Sequence, residues 1–167
     1  MPEMSLQERL QPSLLDRLTD DAPGTAKEST AQRVIDMRRL RELVLRDLAW
    51  LLNCDNAESA ADWSEFPHVR KSVVNFGITG LTGASLARAS LSQLERGIRE
   101  SIRTFEPRIL PDSVQVFAQA SETAMNNRAL SLKIEGELWA QPVPVRLLVR
   151  TEFDLDLGVA KVVTEGG

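Results

Sequence analysis

The spacing of apolar residues changes once along this chain, near Pro111. Before that point apolar positions recur every three or four residues, and after it every second residue. The switch predicts helices followed by strands. The longest early stretch is residues 30–52, where Val34, Met37, Leu40, Val44, Leu48 and Leu51 share one helical face. Trp50 and Asn53 close it, with Asn53 as a cap. A second long helix starts near Ser90, which forms the capping-box pattern S-x-x-Q with Gln93. Leu91, Leu94, Ile98, Ile102 and Phe105 make its apolar stripe. Pro107 ends it by disfavouring a helical conformation at Glu106. Two shorter helices are expected. One covers residues 13–19, with Leu14, Leu15 and Leu18 on one face; the other covers residues 69–76 and is stopped by Gly77.

Beyond Pro111, Val114, Val116 and Ala118 alternate with Gln115, Phe117 and Gln119. Asn126-Asn127 marks a turn. Leu130, Leu132, Ile134, Gly136 and Leu138 then alternate with Ser131, Lys133, Glu135 and Glu137. Val143, Val145, Leu147 and Val149 continue the pattern with Arg146 and Arg150 outward, and Phe153, Leu155 and Leu157 begin a last strand. Short links between alternating strands imply an antiparallel meander with one wet face. Helices first and strands afterwards make an α+β fold, with amphipathic helices on one face of a mainly antiparallel sheet. Asp21-Ala22-Pro23-Gly24 breaks the pattern. It separates a short helix and linker (residues 1–29) from the main domain (residues 30–167). Such a short helix cannot bury its own leucines, so it packs back on the domain or docks on a partner.

Composition narrows the function classes. Apolar residues make up 43% and charged residues 26%, which is enough apolar side chain for a core. A net charge of -4 argues against nucleic acid or an anionic membrane as the main partner. The arginines of the first long helix (Arg33, Arg38, Arg39, Arg41 and Arg46) alternate with Asp36, Glu42 and Asp47, which reads as a solvated or protein-facing surface. Residues 1–10 carry no continuous apolar core of a signal peptide, and no stretch approaches the ~18 apolar residues of a membrane span. A single cysteine, Cys54, points to a reducing compartment. The cytoplasm is the expected location.

Candidate chemistry is sparse. With one histidine, His68, and one cysteine, no metal-ligand pair exists, and no cofactor is expected. Gly77, Gly80 and Gly83 lack the spacing and the lysine of a phosphate-binding loop. There is no G-x-S-x-G elbow, and Cys54 is a small residue at a helix end rather than a partner of His68. Paired carboxylates remain: Glu106 with Asp112, or Asp154 with Asp156. A glycosidase needs two acids about 5 to 10 Å apart in a cleft, usually with aromatic platforms. This chain has no tyrosine, and Trp50, Trp63 and Trp139 are scattered. The more informative feature is Glu106-Pro107-Arg108, a rigid corner after the second long helix. Arg108 carries a planar fork suited to carboxylates or carbonyl oxygens. Two readings are open here: Glu106 and Arg108 lock the helix to the first strand, or they recognise a partner.

Residues 101–109, Ser-Ile-Arg-Thr-Phe-Glu-Pro-Arg-Ile, resemble the Glu-Pro-Arg region of the TssE family of type VI secretion baseplate proteins. That family belongs to the lysozyme-like baseplate wedge group shared with contractile phage tails. Residues 46–53 (Arg-Asp-Leu-Ala-Trp-Leu-Leu-Asn) are similar to its first helix, residues 72–77 to its serine-x-x-asparagine-aromatic-glycine segment, and Leu14-Leu15-Asp16-Arg17-Leu18 to its leading helix. The resemblance implies a baseplate subunit on the cytoplasmic face of the inner membrane. Its implied partners are TssF and TssG, with TssK nearby, and it would seed the TssB/TssC sheath. It assigns partner contacts to Glu106, Pro107 and Arg108. The alternative implied by the lysozyme-like label is a peptidoglycan hydrolase using Glu106; nothing else in the sequence supports it, and a non-enzymatic role is expected.

Overall fold

A computed structural model of the chain describes residues 13–19, 37–81, 88–121, 129–139, 144–155 and 157–164. The order of elements is α1 (Leu14–Leu18), α2 (Met37–Leu52), α3 (Pro67–Arg70), α4 (Arg88–Phe105), then β1 (Gln115–Ser121), β2 (Ala129–Leu138), β3 (Val145–Asp154) and β4 (Val159–Thr164). The strands form one antiparallel sheet in the order β1-β2-β3-β4, the expected meander of an α+β fold. Leu130, Leu132, Ile134 and Leu138 of β2 and Leu147, Val149 and Phe153 of β3 line its dry face. Leu40, Val44, Leu48, Leu51, Ile98 and Ile102 from the two long helices complete the core. Removing these side chains from water is the main stabilising term of the domain.

Several boundaries differ from the sequence expectation. The described part of the first long helix begins at Met37; residues 30–36, and the turn expected at Asn126-Asn127, lie outside the described residues. The second long helix begins at Arg88, so Ser90 sits inside its first turn and is not the cap. Arg88 and Ala89 are good helix formers and extend the element. The helix expected over residues 69–76 is two pieces, α3 and a 3₁₀ turn at Val73–Asn75, split by an extended Ser72. Val73 and Val74 are both exposed there, so no apolar face rewards a continuous helix. The last strand is also displaced. Phe153 belongs to β3, opposite Leu130, and Leu155, Leu157 and Gly158 are turn residues before β4. Alternation at Phe153, Leu155 and Leu157 runs across that turn: Leu155 is buried and Leu157 exposed. β3 is therefore an interior strand, and the sheet edges are β1 and β4.

A side chain from a helix meets each edge. Glu95 of α4 accepts the Ala118 amide of β1 at 2.8 Å. Asn53 at the end of α2 meets β4 with both halves of its amide: Oδ1 accepts from Ala160 N at 2.8 Å, and Nδ2 donates to Ala160 O at 3.0 Å. Nδ2 also reaches Ala49 O at 2.7 Å, capping α2 as the sequence suggested. One side chain thus closes a helix and occupies the outward pair of an edge strand. Replacing Asn53 by Ala should lower unfolding free energy by about 1–3 kcal/mol. A urea melt of Asn53→Ala with an unchanged midpoint would show that the clamp contributes nothing.

Candidate functional site

The Glu-Pro-Arg corner lies where α4 ends and the chain turns toward the sheet. The Glu106 amide still donates to Ile102 O at 2.9 Å, the last helical bond before Pro107. Arg108, Ile109 and Leu110 then run antiparallel to the end of β2. Trp139 N donates to Arg108 O, and Leu110 N to Glu137 O, each at 2.8 Å. Ile109 packs over Gly136, where a Cβ would come within 2.8 Å of its Cγ2. The glycine is what lets this corner sit flat on the sheet. Phe105 packs edge-on against Phe76, with ring centroids 5.4 Å apart.

Within this frame Glu106 and Arg108 bond each other. Glu106 is only 3% exposed. Its Oε1 accepts from Arg108 Nε at 2.7 Å and from the Arg108 amide at 3.2 Å, and its Oε2 accepts from Arg108 Nη2 at 2.5 Å. Arg108 Nη2 also donates to Asp47 Oδ2 of α2. Asp47 Oδ1 in turn holds Arg46, through Nε at 2.8 Å and Nη2 at 2.7 Å. Arg46 lies 4.7 Å over the Trp50 ring. The cluster continues into α1: Asp16 Oδ1 is 2.7 Å from Arg46 Nη2, and Asp16 Oδ2 is 4.0 Å from Arg108 Nη1. The Arg46–Asp16 approach is close but poorly directed: among the described residues neither Arg46 Nη2 nor Asp16 Oδ1 makes a well-aligned hydrogen bond, and Arg108 Nη1 has no hydrogen-bond partner there.

The charges tune one another. Burial alone would lower the Arg108 pKa, but Glu106 and Asp47 overcome it and raise it above its ordinary value. Burial likewise works against Arg46, and Asp47 and Asp16 outweigh it. For Asp16, burial acts to raise the pKa, while the Ser13 hydroxyl and Arg46 together hold it below its usual 3.8. Each group is therefore kept charged by its neighbours.

Three segments singled out by resemblance, distant in sequence, meet in this cluster: Asp16 from the leading helix, Arg46 and Asp47 from the first long helix, and Glu106 with Arg108 from the corner. Sequence reasoning selected Glu106, Pro107 and Arg108 and missed Asp16, Arg46 and Asp47 as their partners. The available signal was weak, a carboxylate opposite the leucines of a short helix. The fourth segment has a different job. Asn75 is buried; its Oδ1 accepts the Glu58 amide at 2.9 Å and its Nδ2 donates to Arg70 O at 3.0 Å. Gly77 adopts φ +125°, and a Cβ there would lie 2.3 Å from Cys54 O. These residues fasten the loops between α2 and α4.

The other chemical candidates stay apart. Cys54 Sγ lies 3.6 Å from Phe76 O, and His68 is exposed on α3. Asp112 is exposed, Asp154 Oδ1 accepts the Leu157 amide in the β3–β4 turn, and Asp156 lies outside the described residues. A cleft of about 390 Å³ borders α4, with Asn56, Lys71, Thr79, Gly97 and Ser101 in its wall, but its flanking Glu58 and Arg70 pair with each other at 2.8 Å. Among the described residues no group of acids, cysteines or histidine is arranged to hold a metal, and no helix is long and apolar enough to cross a membrane.

The family model described as baseplate wedge protein gp25 matches residues 38–143. The chain belongs to that family. TssE proteins belong to it as well. Membership gives the chain a structural role of the phage-baseplate type. The match spans α2 through β2, and so contains Arg46, Asp47, Glu106 and Arg108; α1 with Asp16 lies outside it. No curated protein matches the chain.

Removing Arg108 leaves Glu106 buried without its counter-charge and Asp47 with one arginine in place of two. Arg108→Ala should destabilise the gp25-family domain by about 2–4 kcal/mol. A denaturant melt within about 0.5 kcal/mol of wild type would show the network to be energetically idle. The Asp16 contact should depend on pH. Its folded pKa is depressed, so its contribution to holding α1 is present above the ordinary value of 3.8 and is lost as pH falls through the lower folded value. Hydrogen exchange across residues 13–19 should show reduced protection in Asp16→Asn at neutral pH, and protection of the wild-type segment should fall to that level in acid. Equal protection in both proteins at every pH would rule out this anchor.

Proposed function

We propose that this chain is the TssE-type subunit of a type VI secretion baseplate. It joins a wedge with TssF and TssG, beside TssK, and initiates assembly of the TssB/TssC contractile sheath. It acts in the cytoplasm, at the cytoplasmic face of the inner membrane. The observation that carries this reading is the gp25-family match together with the convergence of the leading helix, the first long helix and the Glu-Pro-Arg corner on one ion cluster. In this reading Glu106, Pro107 and Arg108 belong to the partner-binding region. Pro107 is exposed, while Glu106 and Arg108 give the corner its rigidity.

The role is non-enzymatic in this proposal. Both Glu106 oxygens accept bonds from Arg108, and the group is shielded from solvent, so it is poorly placed as a general acid toward a sugar. The sheath contact is expected at a sheet edge, where an extended arm adds a strand. β4 is the more open edge past Ala160: alternation turns Val162 the same way as Ala160, and Asn53 occupies only Ala160. Glu95 takes the middle of β1.

Co-expression with TssF and TssG tests the reading. A tagged chain should retain both through size exclusion, and Val162→Pro should retain them while failing to support sheath assembly in cells. A wild-type chain that retains neither overturns the assignment. Clearing of cell-wall suspensions that disappears in Glu106→Gln would put a hydrolase in its place.

A further inference from the structure

β4 is an edge strand whose sequence favours pairing with a further strand. Val159, Val162, Val163 and Thr164 are strong strand formers, no proline interrupts them, and Lys161 is the one charge in β4. Lys161 lies across from Glu152 of β3, and an opposite charge there offsets repulsion between copies. In an antiparallel ladder, residues alternate between bonding inward and outward. Ala160 bonds outward, to Asn53, so Val162 and Thr164 also turn their amides and carbonyls away from β3. A second copy of the chain meeting β4 about a two-fold axis would set Val162 against Val162 of that copy and Ala160 against its Thr164. Every outward residue would then gain a pair of bonds, the usual hazard of an uncovered edge.

We propose that Asn53 is an edge guard, which denies β4 to a second copy of the chain while leaving Val162 and Thr164 open. Its Oδ1 and Nδ2 make with Ala160 the same two bonds that a residue of an added strand would make. Those bonds are lost to any strand that tries to pair there. The side chain is held in place from the helix: Nδ2 also donates to Ala49 O at 2.7 Å, and the Asn53 amide donates to Ala49 O and Trp50 O, each at 3.2 Å. α2 itself packs against β4, so a strand running past Ala160 meets the helix end. Pairing between copies needs Ala160, because its register is set by one sequence meeting itself. An arm of different sequence can end at Val162 and does not need it. The other edge is guarded in a similar way. Glu95 accepts the Ala118 amide at 2.8 Å, so a head-to-tail contact of β4 with β1 of a second copy finds both strands occupied.

The inference concerns the chain alone and does not rest on the wedge assignment. Sedimentation velocity and hydrogen exchange on the full chain test it. Wild type should stay monomeric, with the Ala160 amide protected and the Val162 amide open. Asn53→Ala should self-associate, with an association constant higher by roughly tenfold or more, the worth of the bonds restored at Ala160. Its Val162 amide should gain protection as concentration rises. Asn53→Asp keeps the acceptor for Ala160 N and should associate more weakly than Asn53→Ala. Asn53→Ala/Val162→Pro should return to monomer, since a proline at Val162 removes an outward amide and no bond to β3. Asn75→Ala controls for destabilisation alone: it loosens the loops between α2 and α4, leaves β4 untouched and should stay monomeric. A monomeric Asn53→Ala at every concentration overturns the inference. So does association that Asn75→Ala shows equally, or that Val162→Pro does not reverse. A dilute wild-type chain whose Val162 amide is as protected as that of Ala160 overturns it without any variant.

Discussion

The architecture depends on one guanidinium. Arg108 follows a proline that fixes its backbone, and its fork reaches a buried glutamate on its own turn and an aspartate on α2. Glu106 could not be left alone in that position, because an uncompensated buried carboxylate costs several kcal/mol, whereas the half-buried Asp47 is also held by Arg46. The pairing ties the end of α4 to the middle of α2 at the point where the chain crosses from helices to sheet. Through Arg46 the same network reaches Trp50 on one side and Asp16 on the other. A polar cluster on the rim of an apolar core adds little net stability over an apolar replacement, yet removing one partner is costly because it leaves the other charge uncompensated.

That geometry organises the neighbouring surfaces. Ile109 and Leu110 are held against the end of β2 by paired backbone bonds, and Gly136 makes room for the approach. The sheet is a simple meander, so only two strands have a free side, and each meets a helix-borne side chain: Glu95 at β1 and the Asn53 amide at β4. α2 thus contributes to both ends of the molecule's polar framework, Arg46 and Asp47 at the corner and Asn53 at the sheet edge, while its leucines fill the core. Such fixed surfaces are in keeping with the structural role of the phage-baseplate type that gp25-family membership gives the chain.

Much of this was legible in the sequence. The change from a period of three to four to a period of two follows from burying one face of a helix or a sheet, and it located the helical and sheet halves and the meander. Pro107 marked the end of α4 because a proline restricts the residue before it. Pattern was weaker where burial does not drive the local conformation. The segment around Val73 and Val74 broke in two because it has no face to bury, and the alternation at Phe153, Leu155 and Leu157 continued through a turn that only β3–β4 pairing defines.

Sequence by itself determined the fold class, the dry faces and the rigid Glu-Pro-Arg corner, since those depend on local periodicity and on the backbone limits of proline. Only the tertiary structure decided which charge meets which. The spacing from Asp16 to Arg46, and from Asp47 to Arg108, carries no periodic signal, and an ion pair is specified by where packing brings two helices and a turn. It also decided that Glu106 and Arg108 bond each other, and that the leading helix packs back by its aspartate with its leucines outward. A helical wheel shows which residues share a face; it takes the neighbouring elements to say which face is turned inward.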